Sequence, residues 1–373
     1  MRVAMVVQVF RPVLGGAQKQ VERLAPALAQ RGVDVHVVTR RRPGTPRRER
    51  APGLTIHRTP GPARGAAGSI AYTALGAVTT AALRPDVIHV HDVLSPGTIG
   101  LVARLPRRTP VVAKILSTGR GGDLDRLGLK PLGARRMAWM ARRFSAFVCL
   151  SGDVEAELLA HGVPAEKLRR IPNAVDADRF RPATVERRAA ARARLGLASG
   201  EPVAIFCGRL YDSKRLDVLL AAAAEAPVRV LIAGEGPAEE RLRAMAGELG
   251  LADRVRFLAP VDDVGFLHDA ADIYVSASEA EGMSGSVLEA MASGLAVVAA
   301  PASGMPELLG GGTGVLLGSH DPAEMAAALR RLTADEAERG RLGAGARTRV
   351  QQTLTPAAVA DMLVALYREV TAS

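Results

Sequence analysis

The sequence predicts an α/β fold made of two doubly wound, Rossmann-like parallel sheets. Three observations predict it. Short β-branched runs alternate with Ala- and Leu-rich segments, the alternation occurs twice, and turn residues interrupt it near the middle. The length of 373 residues is too great for one ordinary core and fits two domains of roughly 150–200 residues.

In the first series the strand candidates are Val3–Val9, Val33–Thr39, Leu54–His57, Val87–Val90, Val111–Ile115 and Ala146–Leu150. Helical segments such as Val21–Arg31 and Gly68–Leu83 lie between them, the pattern of a parallel sheet covered on both faces. The stretch Arg40–Arg50 breaks the pattern and reads as an exposed basic loop. The second series has strands Val203–Cys207, Val228–Ala233, Val255–Leu258, Ile273–Ser276 and Ala296–Ala299. Its helices include Leu216–Ala224, Ala238–Leu249, Ser286–Ala292 and Pro322–Thr333. The Pro and Asn residues of Ile171-Pro172-Asn173-Ala174-Val175-Asp176 and Arg181-Pro182 mark the crossover, with a hinge expected at about 172–200. The expected domains are therefore 1–180 and 181–355, followed by a last helix, Pro356–Val370, within 356–373. Pattern alone leaves the role of that helix open. Doubly wound sheets bind ligands beyond the carboxyl ends of their strands, so a site is expected in a cleft where two such edges face each other.

Composition narrows the class. Apolar residues make up 48% of the chain and charged residues 23%, as in soluble globular proteins. The first strand candidate has one early Arg and no small-residue cleavage site, which predicts no signal peptide. No apolar run approaches the ~18–20 residues of a membrane span. Cys149 and Cys207 each sit in an apolar run without metal-ligand spacing and read as buried small hydrophobes. A cytoplasmic, disulfide-free protein is the expectation. Residues 1–180 carry 29 Lys and Arg against 13 Asp and Glu, a net of +16, whereas the remainder is at −5. That asymmetry fits an anionic partner for the first half, or simply an Arg-rich surface, and leaves peripheral association with the inner membrane surface open. Aromatic residues amount to 3%, too few for base stacking, which argues against nucleic acid as the partner.

Three constellations carry chemistry. The strongest is Glu281-Gly-Met-Ser-Gly-Ser-Val-Leu-Glu289, which follows a strand and opens into a helix. Met283, Ser284, Gly285 and Ser286 would then present backbone N–H groups at a helix N-terminus, a ready site for a diphosphate. Glu281 and Glu289 on either side can accept hydrogen bonds from ribose and sugar hydroxyls. The second is Gly208-Arg209 with Lys214-Arg215, just past strand Val203–Cys207. Arg209 can fork onto phosphate oxygens and Lys214 adds a point charge. The third and least specific is Gly15-Gly16-Ala17-Gln18, where small residues allow close backbone approach.

In this order, together with Ile171–Asp176 and Gly234-Glu-Gly-Pro237, these blocks resemble family-4 glycosyltransferases of the GT-B fold, and the resemblance covers nearly the whole chain. It implies a retaining transferase using a nucleotide-diphosphate sugar as cosubstrate, most often a UDP-sugar, with no other cofactor and no metal. It implies that Arg209 and Lys214 bind the donor diphosphate, Glu289 the ribose, and Glu281 the transferred sugar. Met283, Ser284 and Gly285 would offer backbone N–H groups, Val261 a backbone contact to the base, and Gly16 an approach to the phosphates. It also implies that the last helix returns to the first domain. The catalytic group would thus be Glu281, Arg209 and Lys214. One departure stands out: many members carry a His where this chain has Leu116. The acceptor-side candidates are His91, Lys114, Ser117 and Asp123. Asp123-Leu124-Asp125 matches an Asp-x-Asp metal motif superficially but lacks the apolar strand that should precede it. The expected partners are a nucleotide sugar and a small-molecule or glycan acceptor, with an anionic or membrane-associated acceptor left open. The rival readings are an isomerase or phosphorylase on the same fold, or a basic nucleic-acid-binding protein.

Overall fold

The computed structural model describes residues 1–13, 15–60, 65–261, 263–279 and 281–372. The chain divides into two units, Met1–Ala174 with Pro356–Ser373, and Val175–Thr355.

The first unit holds strands β1 (Arg2–Val6), β2 (Asp34–Arg40), β3 (Arg48–Ala51), β4 (Leu54–Thr59), β5 (Val87–His91), β6 (Val111–Lys114), β7 (Ala146–Cys149) and β8 (Leu168–Arg170). Their spatial order is β3-β4-β2-β1-β5-β6-β7-β8. All pairings are parallel except β3 with β4, which is antiparallel. The stretch 40–50 is therefore not wholly a loop. Arg40 ends β2, and Arg48 opens an edge strand in register with His57 of β4. Its alternating half-exposed residues show no apolar pattern, and Glu49 pairs with the buried guanidinium of Arg58 at 2.7 Å.

The second unit holds β9 (Val203–Cys207), β10 (Arg229–Ala233), β11 (Val255–Leu258), β12 (Ile273–Ser276), β13 (Ala296–Ala299) and β14 (Val315–Leu316). Their order is β11-β10-β9-β12-β13-β14, all parallel. This is the doubly wound Rossmann order, with direction reversing between β9 and β12. The region read as a hinge contains a helix, Val185–Leu195. Thr184 caps it through Arg187 N, and Gly196 ends it in the left-handed conformation. Arg188 and Arg192 both pair with Asp272, and Arg187 with Asp269 at 2.6 Å, which fixes the helix on the second unit. Its Arg-rich sequence hides this from an apolar-pattern reading.

The last helix, Pro356–Ala372, belongs to the first unit. Val359, Leu363, Leu366 and Tyr367 join the core formed by β1, β2 and the helix Gly16–Gln30. Asp361 accepts two hydrogen bonds from Arg31, at 2.6 and 2.8 Å, and the Tyr367 hydroxyl lies 2.6 Å from His89 Nδ1. Cys149 and Cys207 are buried and unbonded to each other, and burial pushes the Cys149 thiol up to about 12, so neither is a reactive thiolate.

Backbone lies directly against backbone at the end of β10. Gly234 has φ +147, and a Cβ there would stand 1.8 Å from the Gly208 carbonyl oxygen. We expect Gly234→Ala to cost about 3 kcal/mol or more, since it adds strain and a clash with main chain that cannot move aside. Gly247 lies in the helix Glu239–Glu248 with open space around it. Gly247→Ala should instead stabilise by roughly 0.5–1 kcal/mol. Thermal unfolding of both variants checks the pair; equal midpoints would mean that the Gly234 contact does not constrain the fold.

Candidate active site

Loops after neighbouring parallel strands diverge where the strand order reverses, and ligands bind there. In the second sheet those are the loops following β9 and β12. The first is fixed by main-chain bonds. Gly208 N donates to Ala233 O at 3.0 Å, Leu210 N to Glu235 O at 2.8 Å, and Ala238 N to Leu210 O at 3.0 Å. A Cβ on Gly236 would meet Leu210 O at 2.3 Å, so the Gly-Glu-Gly segment is required for this close approach. The two loops are then tied together. Glu279 N donates to Ser213 O at 3.0 Å, and Arg215 pairs with both Asp217 and Glu279.

This framework brings sequence-distant charges into contact. Lys214 Nζ forms an ion pair with Glu281, 67 residues away, and both side chains are about four-fifths buried. Arg209 is exposed, with its guanidinium 5.0 Å from the Tyr211 ring centroid. The helix Gly285–Ala292 begins beside Glu281, with Ser284 as its cap residue and no acidic residue in its first turn. Its positive end is therefore not neutralised by a carboxylate in that turn. Met283 and Ser284 are buried, whereas Gly285 and Ser286 are partly exposed. Ser284 and Ser286 hydroxyls lie 3.2 Å apart. Glu289 is 8% exposed one turn further on, and its charge, after burial itself, holds the Cys207 thiol up, which places the carboxylate near the end of β9. Val261 is half-buried beyond the end of β11.

Sequence reasoning missed Tyr274, which lies inside β12 and reads as core. Its hydroxyl donates to Cys207 O at 3.2 Å, linking β12 to the end of β9 just before Arg209. It also missed that His320 Nε2 lies 3.2 Å from Ser278 O, a contact visible only once the loops are in place.

In the first unit the order reverses between β1 and β5. Gly16 is exposed and opens the helix after β1, while Gly15 N is held by Gln18 Oε1 at 3.0 Å. His91 ends β5. Its ring stacks on His89 at 4.6 Å, it is 2% exposed, and neither ring nitrogen has a hydrogen-bond partner. Burial, then the charges of His89 and Lys114, hold its pKa well below the ordinary value, so the ring is neutral near pH 7. Lys114 is buried and donates to Asn173 Oδ1 at 2.8 Å, and desolvation lowers its pKa to about 8. Ser117 and Asp123 bond each other. Asp123 is fully buried and accepts from Leu116 N at 2.7 Å, Ser117 Oγ at 3.2 Å and Arg126 at 2.8 Å. Asp125 accepts from Gly121 N at 2.7 Å. These carboxylates thus brace the loop that carries Leu116. Among the described residues no three His, Cys, Asp or Glu side chains converge as a metal site. Asp92, next to His91, has φ +90, which is strained for a non-glycine residue. Burial, and then the nearby Asp123, raise its pKa to about 8.

Comparison with known proteins bears on this geometry. The model of glycosyl transferases group 1 matches residues 187–349, and that of Glycosyltransferase Family 4 matches residues 14–179. A D-inositol 3-phosphate glycosyltransferase of Nocardia farcinica is 33% identical over 364 residues, covering 88% of this chain and 79% of the relative. That of Streptomyces bingchenggensis is 34% identical over 369 residues, with 89% and 80% covered. Sucrose-phosphate synthase from Thermosynechococcus elongatus superposes with a TM-score of 0.83 at 24% identity, covering 100% of this chain and 99% of the other. Anabaena HepE, solved with UDP and glucose, superposes at 0.80 and 21%, covering 99% and 100%. With one family model lying within each parallel-sheet unit and relatives aligned along most of the chain, the protein belongs to the family-4 glycosyltransferases and has the GT-B fold.

Proposed function

We propose that this glycosyltransferase moves a sugar from a nucleoside-diphosphate sugar, with uridine as the base, to an acceptor hydroxyl, with retention at the anomeric carbon and without a metal ion. The observation that carries this reading is the Lys214–Glu281 ion pair, which joins the loop after β9, also carrying Arg209, to the loop after β12 from which helix Gly285–Ala292 starts, at the strand-order reversal. Two cations and a helix N-terminus suit the negative charge of a diphosphate, which supports the reading. Glu281, paired with Lys214, is assigned to a hydroxyl of the transferred sugar. Glu289 is assigned to the ribose and Val261 to the base. Bond breaking between the anomeric carbon and the phosphate oxygen leaves negative charge on the diphosphate, which Arg209 and Lys214 stabilise. The acceptor oxygen forms its bond on the same face, and its proton passes to the departing phosphate oxygen. No protein base is then needed at Leu116. On the acceptor side we retain His91, whose ring nitrogens are unpartnered, and Asp92 beside it. The relatives' name makes D-inositol 3-phosphate the first acceptor to try. A donor panel read by released nucleoside diphosphate, with and without that acceptor, tests the reading. Release from no donor under any acceptor condition would sink it.

Arg209→Ala and Lys214→Ala should each lower turnover about a hundredfold or more, the usual cost of removing a charge-stabilising donor. Both should weaken binding of UDP far more than of uridine, because the lost contact is to phosphate. Calorimetric titration of the two ligands against each variant reads this directly. Unchanged UDP affinity in both would show that the diphosphate binds elsewhere.

Activity should persist in excess EDTA, since protein cations and the helix end supply the neutralising charge. Abolition by EDTA with recovery on Mg²⁺ or Mn²⁺ would contradict the metal-free reading.

The two carboxylates should fail differently. Glu289 is assigned to a part of the donor unchanged by transfer, so Glu289→Gln should raise donor KM more than it lowers kcat. Glu281 is assigned to the ring that gains positive charge, so Glu281→Gln should lower kcat heavily with a smaller change in KM. Because Glu281→Gln also releases Lys214 from its paired carboxylate, UDP should bind at least as tightly as to the parent protein. Weaker UDP binding with intact kcat would reverse the two assignments.

A further inference from the structure

One face of the first unit carries a crowd of cations without carboxylate partners. Segments 102–108 and 129–143 together hold eight Lys and Arg and no Asp or Glu. The helices Ser95–Ala103 and Gly133–Arg143 pack on each other, so the two segments are neighbours. Arg104, Leu105, Arg108 and Arg143 line one cavity. Burial, then the charges of Arg143 and Arg108, lower the pKa of Arg104. Like charges are thus held close together, an arrangement that costs free energy unless an anion joins it.

What sets the crowd apart is that its two segments contain no carboxylate, whereas the Arg-rich stretch 40–50 contains Glu49. Elsewhere on the same unit several arginines have carboxylate partners, Arg2 with Asp34, Arg31 with Asp361, Arg169 with Glu369 and Arg170 with Glu155, whereas the exposed Arg47, Arg48 and Arg50 have no ion pair among the described residues. Among the described residues, Arg104, Arg107, Arg108, Arg135, Arg142 and Arg143 form no ion pair.

Apolar side chains stand among these cations. Helix Gly133–Arg143 buries Met137 and Met140 on one side. On the opposite side Arg135, Trp139 and Arg142 follow at i, i+4 and i+7, a single face. Trp139, the chain's single Trp, is 54% exposed. Leu129 and Leu132 at the approach to the helix are 80% and 60% exposed, and Leu105 beside the arginines is 64% exposed. A large aromatic and leucines flanked by arginines is the chemistry of a helix lying at a bilayer interface. The rings enter the headgroup region and the guanidinium groups meet lipid phosphates. No described helix is long and apolar enough to cross a membrane, so contact would be peripheral.

We propose that the face formed by residues 102–108 and 129–143 docks the protein on an anionic lipid bilayer, with Trp139 inserted at the interface. The proposal does not depend on the donor or acceptor assigned above. Its test uses Trp139 as its own probe. The full chain is titrated with vesicles of phosphatidylcholine alone, or mixed with phosphatidylglycerol, and read by Trp emission and co-sedimentation. Emission should shift to the blue and the protein should sediment with the mixed vesicles but not with phosphatidylcholine alone, and added salt should reverse both. Arg135→Gln with Arg142→Gln should weaken binding about thirtyfold, or about 2 kcal/mol at roughly 1 kcal/mol per cation. Trp139→Phe should keep sedimentation, while Trp139→Ala weakens it. Circular dichroism and sugar transfer without vesicles should match the parent protein in all variants. No shift with anionic vesicles overturns the proposal, as does equal binding to both vesicle types. A blue shift produced by a polynucleotide or by self-association, but not by vesicles, overturns it in favour of that other occupant.

Discussion

Main chain packed against main chain at the carboxyl ends of β9, β10 and β12 is the constraint on which the candidate site depends. Gly234 and Gly236 let the β10 loop seat against Gly208 and Leu210, and Gly304, at φ +81, lies where a Cβ would meet Gly282 O at 2.5 Å. These contacts fasten the main chain of the loops at those points, and Arg209, Lys214 and Glu281 are carried on the loops without being part of a core. The strand order adds the second half of the argument. Because β9 and β12 are neighbours but their connections leave in opposite directions, the space beyond their ends stays open to a ligand. Cations gathered there would repel one another if the framework were soft. Glu281 neutralises Lys214 and the ring of Tyr211 sits under Arg209, so the charge is assembled at modest cost.

Much of this was legible in the residues and some of it could not be. The buried central strands, such as Val203-Ala-Ile-Phe-Cys207 and Ile273-Tyr-Val-Ser276, are apolar on both faces and announce themselves. Edge strands do not. Arg48-Glu-Arg-Ala51, Leu168-Arg-Arg170 and Val315-Leu316 are short or polar, and only pairing with a neighbour defines them. The helix Glu336–Thr353 is rich in Arg and Gly and has no strong apolar stripe, so pattern gives no sign of it. In the site, residue type and order pointed to Arg209, Lys214 and Glu281. The contact between Lys214 and Glu281 was not readable, because it requires knowing that β9 and β12 are adjacent. Tyr274 was invisible for the same reason.

The first unit shows desolvation setting the charge state of several polar groups. Lys114, His89 and His91 share the interior near the end of the sheet, and burial favours the uncharged form of each. Lys114 bonds Asn173, and Gln20 exchanges two hydrogen bonds, both 2.8 Å, with the main chain of Ala174. Residues 173 and 174 are the last before the chain enters the second unit. The Ile-Pro-Asn-Ala block is therefore a fastening of the chain, which explains its Asn without giving it a role in transfer. Asp123 is likewise engaged in bracing its loop. What remains chemically open at this strand end is His91 and the strained Asp92, whose carboxyl is held near neutrality by burial beside Asp123.

The distribution of carboxylates, more than the number of arginines, gives the chain its polarity. In the second unit Arg187, Arg188, Arg215 and Arg229 each have an acidic partner, so a high Arg content produces little external field. Between Asp92 and Asp153 of the first unit the acidic residues are Asp123 and Asp125, and both are engaged within one loop. Arg126 pairs with Asp123 and the buried Lys114 bonds Asn173, and the arginines of segments 102–108 and 129–143 are left without a carboxylate. A random excess of Arg would scatter over the surface and find partners. Here eight cations and no carboxylate lie in two neighbouring segments, accompanied by exposed Trp139, Leu129 and Leu132, which gain nothing from water. Charge and apolar exposure coinciding on one face, far along the sequence from the donor-site motifs, is what an interface with an anionic, partly apolar surface requires, and it is independent of the chemistry assigned to the second unit.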